Sequence, residues 1–269
     1  MPSAQLRLPH LARSGLPILR KVKLRGSQVC VSRLIFGTGS LHHLGLATDR
    51  QRLLETAAEF GFSHFDTAPL YGFGQAERDL GRFLTQRPGA GVTTKVGLYP
   101  PGGTEQRPLA TVFRKSAGRL FPRFSRAVAD ANVERARSSL DGSLQRLQRQ
   151  HVELLLIHEP DAALLDSDEW QRWLSDERDN GRIGAFGLAG SPARLATLRL
   201  AAPDMAAILQ SGGSDLDVFP ELCPQIYYGV MRTGGLEGLK RHLIADPATA
   251  IVVSSRRQGH VAALGALAT

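Results

Sequence analysis

From residue 34 onward, short apolar runs alternate with longer stretches in which apolar residues recur every three or four positions. The short runs predict strands at 34–36, 63–67, 91–96, 152–157, 182–187, 206–210, 225–228 and 250–253. The longer stretches predict helices at 49–60, 75–84, 132–149, 168–179, 192–201, 236–244 and 258–268, with a weaker one at 215–222. The first of these shows the signal plainly: Leu53, Leu54, Ala57 and Ala58 make one stripe, Thr48 suits the N-cap, and Gly61 stops the helix. Upstream, residues 18–33 read as a hairpin, with Arg25, Gly26, Ser27 and Gln28 as the turn between two partly alternating runs.

Strands that alternate with helices require a parallel sheet with helical crossovers. Eight such units in roughly 250 residues predict an α/β fold of the closed (β/α)8 TIM-barrel type rather than an open sheet. The hairpin then precedes the barrel as an N-terminal β-hairpin plug. Residues 98–130 are too many for a strand-to-helix loop, which usually has about 2 to 6 residues. They form a long insert after strand 3, which topology puts on the rim where barrel active sites lie. The expected organisation is an arm over residues 1–17 and a single barrel domain over 18–269.

A chain of 269 residues with 42% hydrophobic and 22% charged residues is ordinary globular material, not a disordered or collagen-like sequence. Its formal charge of +8 invites a nucleic-acid reading until the charges are located. Residues 1–48 hold seven basic residues and no acidic one, and residues 98–130 hold six basic residues against Glu105 and Asp130. These stretches supply +7 and +4 and leave −3 for everything else, so the barrel body is slightly acidic and no nucleic-acid partner is expected. The phenylalanines interleaved with basic residues at 113–124 suit a flap over the barrel mouth better than a base-stacking platform. Cys30 and Cys223 stand far apart with no paired spacing, which suggests neither a disulfide framework nor a metal centre. No run approaches the ~18 apolar residues of a membrane helix. A cytoplasmic monomer without membrane or nucleic-acid partners is expected.

On a barrel, polar residues at the C-terminal ends of strands are the candidates for chemistry. Four qualify: Asp66, Tyr71 five residues further on, Lys95, and His158 directly after the fourth strand. Singly, each has a structural explanation as a cap, loop packing, rim charge or core histidine. Together they bring an acid, a phenol, an ammonium and an imidazole to one mouth. A phenol with an ordinary pKa of about 10 donates its proton poorly unless a cation stabilises the phenolate. Lys95 can be that cation, Asp66 can hold it charged, and His158 can orient a substrate oxygen. Such a set suits protonation of a carbonyl oxygen as hydride reaches its carbon. Gly37-Thr38-Gly39 is followed by Ser40, Leu41 and His42, so the glycine-rich dinucleotide fingerprint is absent.

Three stretches carry a resemblance: Gly-Phe-Ser-His-Phe-Asp-Thr-Ala-Pro-Leu-Tyr-Gly-Phe-Gly-Gln-Ala-Glu-Arg-Asp-Leu-Gly at 61–81, Thr-Thr-Lys-Val-Gly at 93–97, and Ser-Leu-Asp-Gly-Ser-Leu-Gln-Arg-Leu at 139–147 leading into Leu-Leu-Leu-Ile-His-Glu-Pro-Asp at 154–161. In these the chain resembles the aldo-keto reductases, most closely their aldose 1-dehydrogenase branch. The resemblance implies an oxidoreductase using NADP(H), or less favourably NAD(H), on an aldehyde, ketone or sugar. It implies catalytic roles for Asp66, Tyr71, Lys95 and His158. It also implies cofactor contacts at Gly37, Thr38, Gly39, Asp66, Gln210, Tyr228, Gly229, Val230, Ser255 and Arg256, with Gln210 on the nicotinamide carboxamide and Tyr228 stacked on the ring. After the fifth strand the family's usual Gly-Val-Ser-Asn is replaced by Gly187-Leu188-Ala189-Gly190, and Arg256 and Arg257 stand where other residues hold a 2′-phosphate. The alternative it implies is a cofactor-binding regulatory module with little or no turnover.

Overall fold

The computed structural model describes residues 19–101, 127–160, 168–213 and 219–267. A hairpin opens it: β1 (Lys21–Lys23) pairs antiparallel with β2 (Cys30–Ser32), Val22 facing Val31, around a turn that places Gly26 at φ 74°. Eight parallel strands follow: β3 (Leu34–Gly37), β4 (His64–Asp66), β5 (Gly91–Val96), β8 (Val152–His158), β9 (Ile183–Gly190), β10 (Leu209–Gly212), β11 (Ile226–Tyr228) and β12 (Ala250–Val253). They close into a barrel when β12 pairs with β3, with Ile251 opposite Leu34 and Val253 opposite Phe36. The remaining two strands, β6 (Leu98–Tyr99) and β7 (Val128–Ala129), pair antiparallel where the long insert leaves and rejoins the barrel. The insert's span over 102–126 and the arm over 1–17 lie outside the described residues.

Among the described residues, seven α-helices pack around the strands: α1 (Ala47–Glu59), α2 (Gln75–Thr85), α3 (Val133–Leu147), α4 (Asp168–Asp179), α5 (Pro192–Ala201), α6 (Val230–Ala245) and α7 (Gln258–Gly265). Strand boundaries shift by up to three residues, as in β9 and β10, and two helices differ more from the sequence reading. The helix expected at 215–222 is described only at its end, as a 3-10 turn over Pro220–Leu222. The helix expected at 236–244 starts earlier, at Val230, because Gly235 breaks the spiral at φ 55° and joins two helical pieces. That glycine interrupts the periodic pattern and hides its first turns.

Strand alternation divides the apolar residues between two cores. Leu34, Phe36, Phe65, Val92, Leu155 and Ile157 face outward against the helices, where Phe36 meets the rings of Phe62 and Phe65 edge-on at 5.8 and 6.1 Å. Ile35, Leu154, Leu156, Ala185, Ile208, Ile226 and Ala250 face inward and meet Leu24, Val29 and Val31 of the hairpin. The hairpin therefore plugs the end of the barrel where the strands begin, and the inward side chains at the opposite end are free to be polar. α2 is tied in by buried ions: Glu77 accepts from Thr94 Oγ1 at 2.7 Å and from Arg146 Nε at 2.8 Å, and Asp79 pairs with Arg50 at 2.6 Å. Pairing of this kind is what permits carboxylates to be fully buried.

Candidate active site

The same alternation that puts His64 and Thr93 inside the barrel puts Asp66 and Lys95 one layer nearer its mouth. Register brings them side by side, since β4 and β5 are neighbours with Asp66 opposite Thr93. Lys95 is 2% exposed, and its ammonium donates to Asp66 Oδ1 at 2.6 Å and to the Thr67 carbonyl at 2.9 Å, with Nζ 5.3 Å from the centre of the Tyr71 ring. Burial alone would lower the Lys95 pKa, but Asp66 and the Tyr71 oxygen outweigh it and hold the ammonium above its ordinary value. Tyr71 sits in the turn after β4, which winds through Gly72, Phe73 and Gly74, all at positive φ. A Cβ at Gly72 would lie 2.5 Å from the His42 side chain, so only glycine fits at that bend.

The Tyr71 phenol differs from the sequence expectation in one respect. Burial raises its pKa, Lys95 opposes the rise, and Asp66 adds to it, so the net value stays above 10.0. The cation offsets the loss of water without overcoming it. His158 ends β8 with its ring 6.3 Å from that of Tyr71 at 87°. Burial first, and the Lys95 charge second, push its pKa down to about 3. The imidazole is thus neutral at neutral pH, able to donate a hydrogen bond but not to act as a cationic acid. At neutral pH the phenol therefore keeps its proton, and the imidazole carries a single N–H.

These four groups line one cavity of about 600 Å³ at the C-terminal end of the strands, together with Gly37, Gly39, Gln210, Tyr228 and Gly229. Four other expected contacts do not line it. Thr38 is buried, and its backbone N–H and hydroxyl both donate to the Asp66 carbonyl, at 2.9 and 3.0 Å, fixing β3 to β4. Val230 is buried in the outer core. Ser255 and Arg256 lie beyond the cavity wall in the loop before α7, where Arg256 and Arg257 are exposed. Ala189 and Gly190 do line the wall, and neither offers a side-chain hydrogen bond.

Several lining residues were not singled out from sequence, notably Ser40, Glu159, Met231, Arg232 and Ser254. Glu159 adopts φ 50°, an uncommon backbone state for a non-glycine residue. Its N–H donates to the Ala189 carbonyl at 2.6 Å, its Oε2 lies 3.5 Å from Arg194 Nε, and that oxygen would be 3.4 Å from a Cβ on Gly190. A carboxylate thus borders the wall that Gly190 leaves bare. The available signal was adjacency to His158 at a strand end. Arg232 follows the turn at Gly229, and nothing in its local pattern separates it from a solvated charge.

The site is thus a buried acid–ammonium pair, a phenol and an imidazole at the mouth of a closed parallel barrel. Residues 33–210 match the sequence profile of the Aldo/keto reductase family, and the chain belongs to that family. It is 31% identical over 176 residues to pyridoxal 4-dehydrogenase of Microbacterium luteolum, covering 59% of this chain and 52% of that protein. It is 29% identical over 164 residues to D-threo-aldose 1-dehydrogenase of a Pseudomonas species, covering 60% and 49% respectively. The chain therefore spans about half the length of these relatives. In fold it resembles the holo form of an aldo-keto reductase from Bacillus halodurans, with a TM-score of 0.70 at 19% identity over 93% of this chain and 90% of that one.

Proposed function

We propose that this protein is an oxidoreductase that moves hydride between a nicotinamide cofactor and the carbonyl or alcohol carbon of an aldehyde, ketone or aldose. The observation that carries this reading is the convergence of Tyr71, Lys95, Asp66 and His158 on one cavity, with Lys95 held by the Asp66 carboxylate and the Thr67 carbonyl beside the Tyr71 ring. The cavity's residues fit a nicotinamide. Tyr228 offers an aromatic wall, Gln210 offers a carbonyl acceptor once its amide hydrogen is used, and Gly37 and Gly39 keep one side free of side chains. Arg256 and Arg257 are two exposed guanidinium groups near the mouth, suited to a phosphate, which favours NADP(H) over NAD(H).

A bound nicotinamide supplies the hydride. Tyr71 gives its proton to the carbonyl oxygen, and Lys95 stabilises the phenolate left behind. His158, neutral, donates a hydrogen bond to the same oxygen and fixes its position. Asp66 keeps Lys95 charged throughout. In the oxidative direction the phenolate accepts the alcohol proton. The two relatives, a pyridoxal 4-dehydrogenase and a D-threo-aldose 1-dehydrogenase, support small aldehydes and sugars as the substrate class.

Titration of the intact chain with NADPH and NADH, followed by intrinsic fluorescence, should give saturable quenching that is tighter for NADPH. A panel of aldehydes and sugars should then turn over with the bound cofactor. Failure to bind either nucleotide sinks this reading.

A further inference from the structure

Gln210 was expected to serve a cofactor, yet its amide is already engaged. It stands on β10, 3% exposed, and its Nε2 donates to Asp66 Oδ2 at 2.8 Å. In the closed strand order, β10 and β4 are four places apart in either direction, so this bond crosses the full width of the barrel. The two carboxylate oxygens of Asp66 are thereby divided: Oδ2 takes the amide and Oδ1 takes Lys95. The backbone carbonyl of Asp66 is held separately by Thr38. Every acceptor of the residue has a specified partner.

We propose that Gln210 is a positioning residue for the proton relay: its cross-barrel hydrogen bond orients Asp66 and withdraws part of the carboxylate charge that Lys95 and Tyr71 meet. The physical argument has two parts. A carboxylate with one oxygen free could rotate, and the 2.6 Å contact with Lys95 would then be shared between two oxygens rather than fixed on one. An amide donor also stabilises negative charge on the oxygen it reaches, leaving less to act on the phenol. Asp66 already acts to raise the Tyr71 pKa, so any gain in its effective charge makes Tyr71 a weaker proton donor. The other charged or titratable groups lining this pocket are Lys95, Tyr71, His158, Tyr228, Glu159 and Arg232, and among these described residues the Gln210 amide takes Asp66 as its partner.

The effect on the relay concerns the proton-transfer role assigned to Tyr71 above and rests on that reading, but the test need not. Gln210→Met and Gln210→Glu variants of the full chain are compared with the parent and with Tyr71→Phe. The first measurement is a tyrosinate absorbance titration without ligand, in which subtraction of Tyr71→Phe isolates Tyr71 from the other three tyrosines of the chain. The Tyr71 midpoint should move to higher pH in Gln210→Met, and further in Gln210→Glu, where a second carboxylate replaces the donor. The second measurement is the pH profile of kcat. Gln210→Met should lose about tenfold across the profile, less than the roughly hundredfold or more that a general acid itself contributes, because the acid is detuned rather than removed. Gln210→Glu should approach the parent at acid pH, where the two carboxyls share one proton that bonds them, and fall away as that proton is lost.

A role in packing alone would move none of these pH dependences. Unchanged Tyr71 midpoints in both folded variants overturn the proposal even if the parent is an active reductase. Shifted midpoints in a parent that turns over no carbonyl support the positioning role and defeat the oxidoreductase reading instead. If Gln210→Met does not fold, the nearly isosteric Gln210→Glu carries the test.

Discussion

The two ends of the barrel interior use the same residue type in opposite ways. His64 and His158 both point inward, from β4 and β8, and both have their pKa pushed down to about 3, chiefly by burial. His64 lies deeper, fully buried, with Nε2 in a 2.8 Å hydrogen bond with Thr93 Oγ1. The backbone beside it is fitted to its ring, since a Cβ at Gly91 would come within 2.5 Å of Nδ1. His158 is half-buried and lines the cavity beside Tyr71. One histidine is consumed by structure and the other is left with a face toward a ligand. A depressed pKa therefore does not mark function here; what marks it is a polar atom with somewhere to reach.

The contrast between mouth and floor can be broken most severely at Tyr71. Tyr71→Phe should reduce kcat by about a thousandfold, the middle of the range for a general acid. It should leave cofactor affinity and the thermal midpoint close to the parent's. Turnover that persists near the parent rate would place the proton elsewhere.

The floor should respond in stability rather than in rate. Leu154 is fully buried between the hairpin and the inward layer, so Leu154→Ala should cost about 3 kcal/mol in urea unfolding. Variants that remain folded should keep a kcat close to the parent's. A large loss of kcat with unchanged stability would show that floor and mouth are not separable.

The smallest effect sharpens the comparison of the histidines. Each has a folded-state pKa of about 3 against an ordinary 6.5, so the unfolded chain takes up a proton that the folded chain refuses. The stability this gives is fully present above about pH 6.5 and is lost as pH falls toward 3. His64→Gln should flatten the dependence of the thermal midpoint on pH across that window while leaving turnover near the parent's. His158→Gln should flatten it as well and also reduce turnover. A slope in His64→Gln equal to the parent's would mean that His64 is not held neutral by the fold.

The barrel was legible in the chain because strand and helix periods differ and alternate along it, and the candidate catalytic residues were legible because Asp66, Lys95 and His158 stand at or near strand ends and Tyr71 follows Asp66 in the next turn. Hairpin 18–33 was visible as an alternating pair of runs, and its docking against Leu154 and Ile208 became visible only in three dimensions. Gln210 and Thr38 show the limit more sharply. Both carry groups that could serve a ligand, and which partner they choose depends on a strand far away in sequence, 144 positions for Gln210 and 28 for Thr38. Glu159 was missed for a related reason: its place beside Gly190 follows from β8 and β9 lying side by side, with His158 opposite Ala189.

The plugged floor has a kinetic corollary. With Leu24, Val29 and Val31 stoppering one end, the well around Tyr71 is closed at its floor, and among the described residues it opens on the side where the strands end. On the oxidoreductase reading proposed above, cofactor and substrate would both approach from that side, so the hairpin sets the direction of traffic.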